Sequence, residues 1–145
     1  MSEPTHFAPA ERVAPEMLAE QVRQLVGSPV TDGILRAADS LLVVLNEQRQ
    51  VVSLNEQLLR WLGIEDAATL FGLRLGEAFG CVHAQEAPAG CGTTRYCVSC
   101  GQAIATVTAL RSNEVVERKC VIQANRAGAP ADLCLSVRAC PMVIG

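Results

Sequence analysis

Leu41-Leu42-Val43-Val44-Leu45-Asn46-Glu47-Gln48-Arg49-Gln50-Val51-Val52-Ser53-Leu54 holds two short apolar runs rich in β-branched residues, set apart by a polar break. Two such runs around a polar turn read as the strands of an antiparallel hairpin. Asn55 then opens a helix-like segment whose apolar face is Leu58, Leu59, Trp61 and Leu62, closed by Gly63. Shorter helical pieces cover residues 66–70 and 75–79, punctuated by Gly72, Gly76 and Gly80. Further on, residues 101–111 return to helix with Ile104, Val107 and Thr108 inward. Residues 115–124 and 131–143 read as two more strands, joined by the turn 125–130. Strand pairs divided by one helical block define an α+β domain, an antiparallel sheet with short helices on one face.

Upstream lies a helical leader, residues 1–38, ahead of the domain proper at 39–145. From Pro15, Leu18, Val22, Leu25 and Val26 fall at i, i+4, i+7 and i+8, one stripe of an amphipathic helix ended by Gly27, Ser28 and Pro29. A second short helix is expected over 32–38, capped near Thr31 or Asp32, with Ile34, Leu35 and Ala38 inward. The stripe either packs on its own domain or pairs two copies of the chain. It is the candidate dimer and coupling surface. The close at Pro141-Met142-Val143-Ile144-Gly145, midway through an apparent sheet, reads as a truncation or as a place for a partner strand.

The runs 41–46, Arg49-Gln50-Val51-Val52, Asn55, Leu59 to Gly63, and Gly72-Leu73-Arg74 together resemble a PAS sensor domain over residues 30–143. That likeness implies an inner hairpin, an Asn beginning the first short helix and a ligand-facing helical region. A narrower likeness rests on Cys81-Val82-His83-Ala84, Gly90-Cys91-Gly92-Thr93 and Cys97-Val98-Ser99-Cys100-Gly101. These segments are similar to the cysteine-rich PAS domains at the front of bacterial sensor histidine kinases. The resemblance implies a two-component signalling role with a histidine kinase transmitter as partner. Kinase activity does not carry over. His6 and His83 lie outside any suitable helix, and no glycine-rich nucleotide loop is present.

The insertion 80–101 carries four cysteines, one histidine, four glycines and one proline with no apolar periodicity, a loop that needs something to hold it. Cys97-x-x-Cys100 can close around a metal, and Cys81 and Cys91 would complete a tetrahedral thiolate set. Four soft ligands suit zinc or an iron–sulfur cluster. His83 can replace one thiolate or hydrogen-bond to the set from outside. The competing readings are a reversible disulfide or thiol switch, and inert thiols. Cys120, Cys134 and Cys140, each within an expected strand, read as small core residues.

Composition narrows the classes further. Net charge is −3 with no basic run, which argues against nucleic acid or an anionic membrane surface as partner. The longest apolar run is Leu41 to Leu45, far below the ~20 residues of a membrane span. The acidic, proline-broken start Met1-Ser2-Glu3-Pro4-Thr5-His6 lacks the features of a secretory signal, so a cytoplasmic location with reduced thiols is expected. Flavin and haem are disfavoured by the missing photoreactive cysteine motif and by the placement of the histidines. No hydrolase or dinucleotide fingerprint occurs.

Three functions follow as expectations. The first is a non-enzymatic sensing module whose cysteine loop binds an iron–sulfur or zinc centre, acting as a homodimer on a signalling partner. The second is a zinc-stapled adaptor. The third is a thiol-disulfide oxidoreductase using Cys97 and Cys100, whose position ahead of a helix would lower the thiol pKa.

Overall fold

The computed structural model describes residues 5–144. The signal-sequence reading of residues 1–4, and the last residue of the reading at 141–145, lie outside them. The elements run α1 (Pro15–Val26), α2 (Pro29–Ala37), β1 (Val43–Leu45), β2 (Val51–Leu54), α3 (Glu56–Leu62), α4 (Leu75–Phe79), α5 (Gly101–Ser112), β3 (Val116–Arg126) and β4 (Ala129–Ala139). The class is α+β. Among the described residues the strands form two separate two-stranded antiparallel sheets, β1 with β2 and β3 with β4, rather than one continuous sheet. The chain divides into two compact units, Arg12–Leu75 and residues 5–11 with 76–144. No helix among the described residues is long and apolar enough to cross a membrane.

In the first unit, the polar break of the hairpin is tied by its own side chains. Asn46 Oδ1 accepts from the amides of Gln48 and Gln50, while Arg49 takes a left-handed φ of 67° to reverse the chain. The segment after α3 backs β2, with Val51 N–H donating to Leu73 and Gly72 N–H donating to Val51. Arg74, fully buried, donates from Nε to the Gln48 carbonyl and so braces the turn from beneath. Helix α1 packs against β2. Its bounds agree with the stripe, and Leu25 is buried with Leu18 and Val22 half-buried. Val26 is 76% exposed, so the fourth member of the stripe faces water.

Helix α2 starts three residues earlier than expected. Ser28, not Thr31 or Asp32, is its cap, accepting from Thr31 N–H, and Pro29 takes the first helical position, where its missing amide costs nothing. Ile34, expected inward, is 57% exposed, while Leu35 and Ala38 are half-buried. Gly33 sits mid-helix, and a Cβ there would meet nothing within 4 Å. Gly33→Ala is therefore expected to stabilise the chain by about 0.5–1 kcal/mol, by limiting the unfolded chain and favouring helix. A thermal melt read by circular dichroism checks this, and a midpoint that falls would contradict it.

In the second unit, β3 and β4 pair without slip from Val116↔Ala139 to Arg126↔Ala129. The turn is two residues, Ala127 and Gly128, both at positive φ (53° and 80°), as a tight hairpin of right-handed strands requires. The six-residue turn expected at 125–130 is thus corrected. Asn125 and Pro130 are a cross-strand pair, and β4 ends at Ala139 rather than 143. Alternation buries Val116, Cys120, Ile122 and Ala124 on one face of β3. On β4 the same rule directs Leu133, Leu135, Val137 and Ala139 inward and leaves Cys134 exposed; Cys140, just past the strand, is exposed too. Of the three cysteines expected in the core, only Cys120 is there. Helix α5 packs on this hairpin, with Ala105 and Ala109 against Val116, Val137 and Ala139. Val107 is buried as expected, whereas Ile104 and Thr108 are half-buried beside a run of small buried residues.

Candidate functional site

Residues 80–101, with little apolar patterning, are held by backbone contacts. Gly80 accepts from Asn125 N–H at 2.9 Å, and Cys81 forms an isolated antiparallel bridge to Ala124, which fastens the start of the loop to β3. Gly80 has φ +79°, and a Cβ there would lie 2.7 Å from the Asn125 carbonyl oxygen. Two short 3-10 turns, Val82–Gln85 and Arg95–Ser99, give the loop regular structure. Residues near the N-terminus also hold it: His6 N–H donates to Thr93 and Ala8 N–H to Gly92, both at 2.9 Å, and Ala8 is completely buried. Sequence reading did not anticipate that strap, because main-chain pairing leaves no side-chain signature.

Each loop sulfur meets main-chain N–H groups. Cys91 Sγ accepts from Gly76 N–H at 3.3 Å, and Cys97 Sγ from Gly92 N–H at 3.2 Å, with the Thr94 hydroxyl 3.3 Å from the same sulfur. The amides of His83 and Ala84 serve Cys81, and those of Gln102 and Ala103 serve Cys100. Glycine is required at position 76, where a Cβ would fall 2.7 Å from Cys91 Sγ and 3.4 Å from the Cys81 Cβ. Cys91 and Cys81 therefore flank one bare stretch of α4.

Burial pushes the Cys91 thiol up to about 12, opposed by the Gly76 amide and reinforced by the charges of Cys97, Glu77 and Cys100. Burial likewise raises Cys81, with Cys100 and Cys97 adding to it and the two amides opposing. Cys100 behaves differently. A hydrogen bond from the Cys120 thiol, 3.7 Å away, and amides at the start of α5 lower it to about 6 against the opposing effect of burial. Cys120 is raised in return.

His83 Nδ1 lies 2.9 Å from Glu86 Oε1, and its ring stacks on Tyr96 at 3.9 Å between centroids, with Arg95 over the other partner ring. These contacts fix the imidazole within the loop, and a positive charge on it favours the Cys100 thiolate. Among the described residues no three Cys, His, Asp or Glu side chains surround a common point at the range of a metal ion. The structure sets Cys100 against Cys120, and Cys91 beside Cys81 at Gly76. It does not draw Cys81, Cys91, Cys97 and Cys100 onto one ion. Cys97 and Cys100 also differ from a dithiol pair in their partners, Cys97 turning to Gly92 and Thr94. On α1, Leu18 and Val22 line a shallow hollow with Ala68 and Phe71, so the stripe is partly used within its own unit. Comparison with protein-family models, with curated proteins and with solved structures finds no match.

Proposed function

We propose that this chain is a PAS-type sensing module whose loop cysteines, Cys81, Cys91, Cys97 and Cys100, bind an iron–sulfur centre and pass its state to a signalling partner. The observation that carries the reading is the supply of amide N–H groups to all four sulfurs. Such donors oppose the burial that keeps Cys81 and Cys91 protonated, and hydrogen bonds to ligand sulfurs tune a cluster's potential. The mutual repulsion of these thiols as anions is relieved by a bound cation. Four thiolates also suit a single zinc ion at about 2.3 Å, and colour with metal content distinguishes the two. When bound, the centre would supply sensitivity to oxygen or redox poise. The protein's own residues fix the sulfurs through Gly76, Gly92 and the start of α5, and the strap at His6 and Ala8 closes the loop backbone.

The PAS reading is supported by the two hairpins divided by a helical block and by Asn55 opening α3. The relay to a partner, a histidine kinase transmitter in the reading from resemblance, runs through a homodimer formed on α1. Metal and sulfide analysis of anoxically prepared full chain, with a visible spectrum, tests the centre. Brown protein containing iron and sulfide, bleached by air and lost in Cys97→Ser, is the expected result. Colourless protein with stoichiometric zinc makes the chain a zinc-stapled adaptor instead, and protein that takes up neither metal removes the centre altogether.

A further inference from the structure

Cys100 and Cys120 stand 20 residues apart in the chain with their sulfurs 3.7 Å apart in the fold. Backbone packing imposes that approach. Gly101 lies so close to β3 that a Cβ on it would be 2.0 Å from the Lys119 carbonyl oxygen and 3.2 Å from the Cys120 Cβ. Cys100 stands at the N-terminus of α5, and its own backbone is anchored on both sides: its N–H donates to the Cys97 carbonyl, and its carbonyl accepts from Ile104 N–H at 2.9 Å. Cys120 is buried, and Cys100 is partly open to solvent. A disulfide bond is ~2.05 Å long, so closing the pair takes an approach of under ~2 Å, within reach of side-chain rotation. Cys97, the other partner offered by the C-x-x-C spacing, has its sulfur engaged by Gly92 N–H and the Thr94 hydroxyl.

We propose that Cys100 and Cys120 form a peroxide-reactive pair that closes to a reversible disulfide in the metal-free chain. The Cys100 thiolate attacks one oxygen of a small hydroperoxide. The O–O bond breaks, an S–O bond forms, and the leaving oxygen departs as water, or as an alcohol, after taking a proton. The Cys120 sulfur then attacks the Cys100 sulfenic acid. The S–O bond breaks, the S–S bond forms, and the hydroxyl leaves as water with the Cys120 proton. Two thiols are oxidised by two electrons and one peroxide is reduced. A small dithiol reverses the bond. The disulfide ties the first turn of α5 to β3 and withdraws Cys100 from the loop thiols, so closing the pair and loading a centre on Cys100 exclude each other. The pair itself does not depend on the loop holding a centre.

The test uses the full chain, fully reduced and stripped of metal, treated with one equivalent of hydrogen peroxide and mapped by mass spectrometry of unreduced peptides. The expected product has lost two hydrogens and carries Cys100 linked to Cys120, and Cys97→Ser gives the same link. Cys120→Ser is expected to stop at a Cys100 sulfenic acid that dimedone traps. Because burial makes position 120 sensitive to substitution, the wild-type map decides alone if that variant does not fold. A Cys97–Cys100 link, or oxidation scattered over the seven cysteines without an enriched pair, overturns the proposal. Iron uptake is measured on the same preparation. A chain that closes the pair but never binds iron keeps this inference and loses the proposed centre, and one that binds iron but never closes the pair does the reverse.

Discussion

Gly101→Ala is expected to cost at least about 3 kcal/mol of stability, since overpacking that cannot be relieved lies at the upper end of single-residue effects. The added methyl would stand 2.0 Å from the Lys119 carbonyl oxygen and 2.8 Å from its carbonyl carbon. Both are backbone atoms of a strand paired without slip, so no rotamer change clears the overlap. Either β3 bends away from β4 or the first turn of α5 lifts off the hairpin. Lifting α5 weakens the buried contact of Ala105 and Ala109 with Val116. For a chain of this size the thermal midpoint should fall by about 10 °C. The same displacement parts Cys100 from Cys120, so the yield of their disulfide under peroxide should fall together with the melting point. Wild-type melting with an alanine at 101 would mean that the start of α5 and β3 leave room for a methyl group between them. Normal stability with a lost disulfide would place the shift in Cys100 alone.

The same close approach explains what a linear reading misses. Two sulfurs 20 residues apart meet because α5 folds back along β3, and no local spacing encodes that register. Cys120 thus reads as one more small apolar residue in a strand, and burial alone bears that out. Cys134 and Cys140 are a different case, legible and misread. With Leu133, Leu135 and Val137 at alternate positions, the period of two assigns Cys134 to the opposite face. Weighting residue type over parity put it in the core. The turn at 125–130 failed similarly, because Asn, Gly and Pro each signal a turn but only Ala127-Gly128 makes one. By contrast, α1 is bounded by Pro15 and Gly27, residues whose backbone limits act locally, and its limits were legible. In the loop, cysteines and glycines announced an organised segment. The amides that serve each sulfur come partly from Gly76 and from the start of α5, outside or at the edge of that segment, and spacing carries no direction for an N–H.

Asn55→Ala should cost about 3 kcal/mol, the largest loss expected from removing one polar side chain in the Arg12–Leu75 unit. Asn55 is buried, and its amide group serves three backbone sites. Oδ1 accepts from Leu58 N–H, which caps α3, and from Leu42 N–H at 3.1 Å, while Nδ2 donates to the Ser40 carbonyl at 2.8 Å. Alanine leaves two donors and one acceptor without this partner, at about 1 kcal/mol each where water cannot replace it. Loss of the cap alone accounts for about 1 kcal/mol of that sum. Asn55→Asp separates the contributions. Its carboxylate still accepts from Leu58 and Leu42, and its charge suits the start of a helix, but it faces the Ser40 carbonyl with no hydrogen to give. Aspartate should therefore lie between wild type and alanine in a urea titration, with an unchanged m-value if both variants keep the native fold. If alanine is tolerated as well as aspartate, the chain before β1 is not held by this side chain. The entry to the hairpin would then rest on the Asn55 N–H to Leu42 carbonyl bond, which every substitution but proline retains.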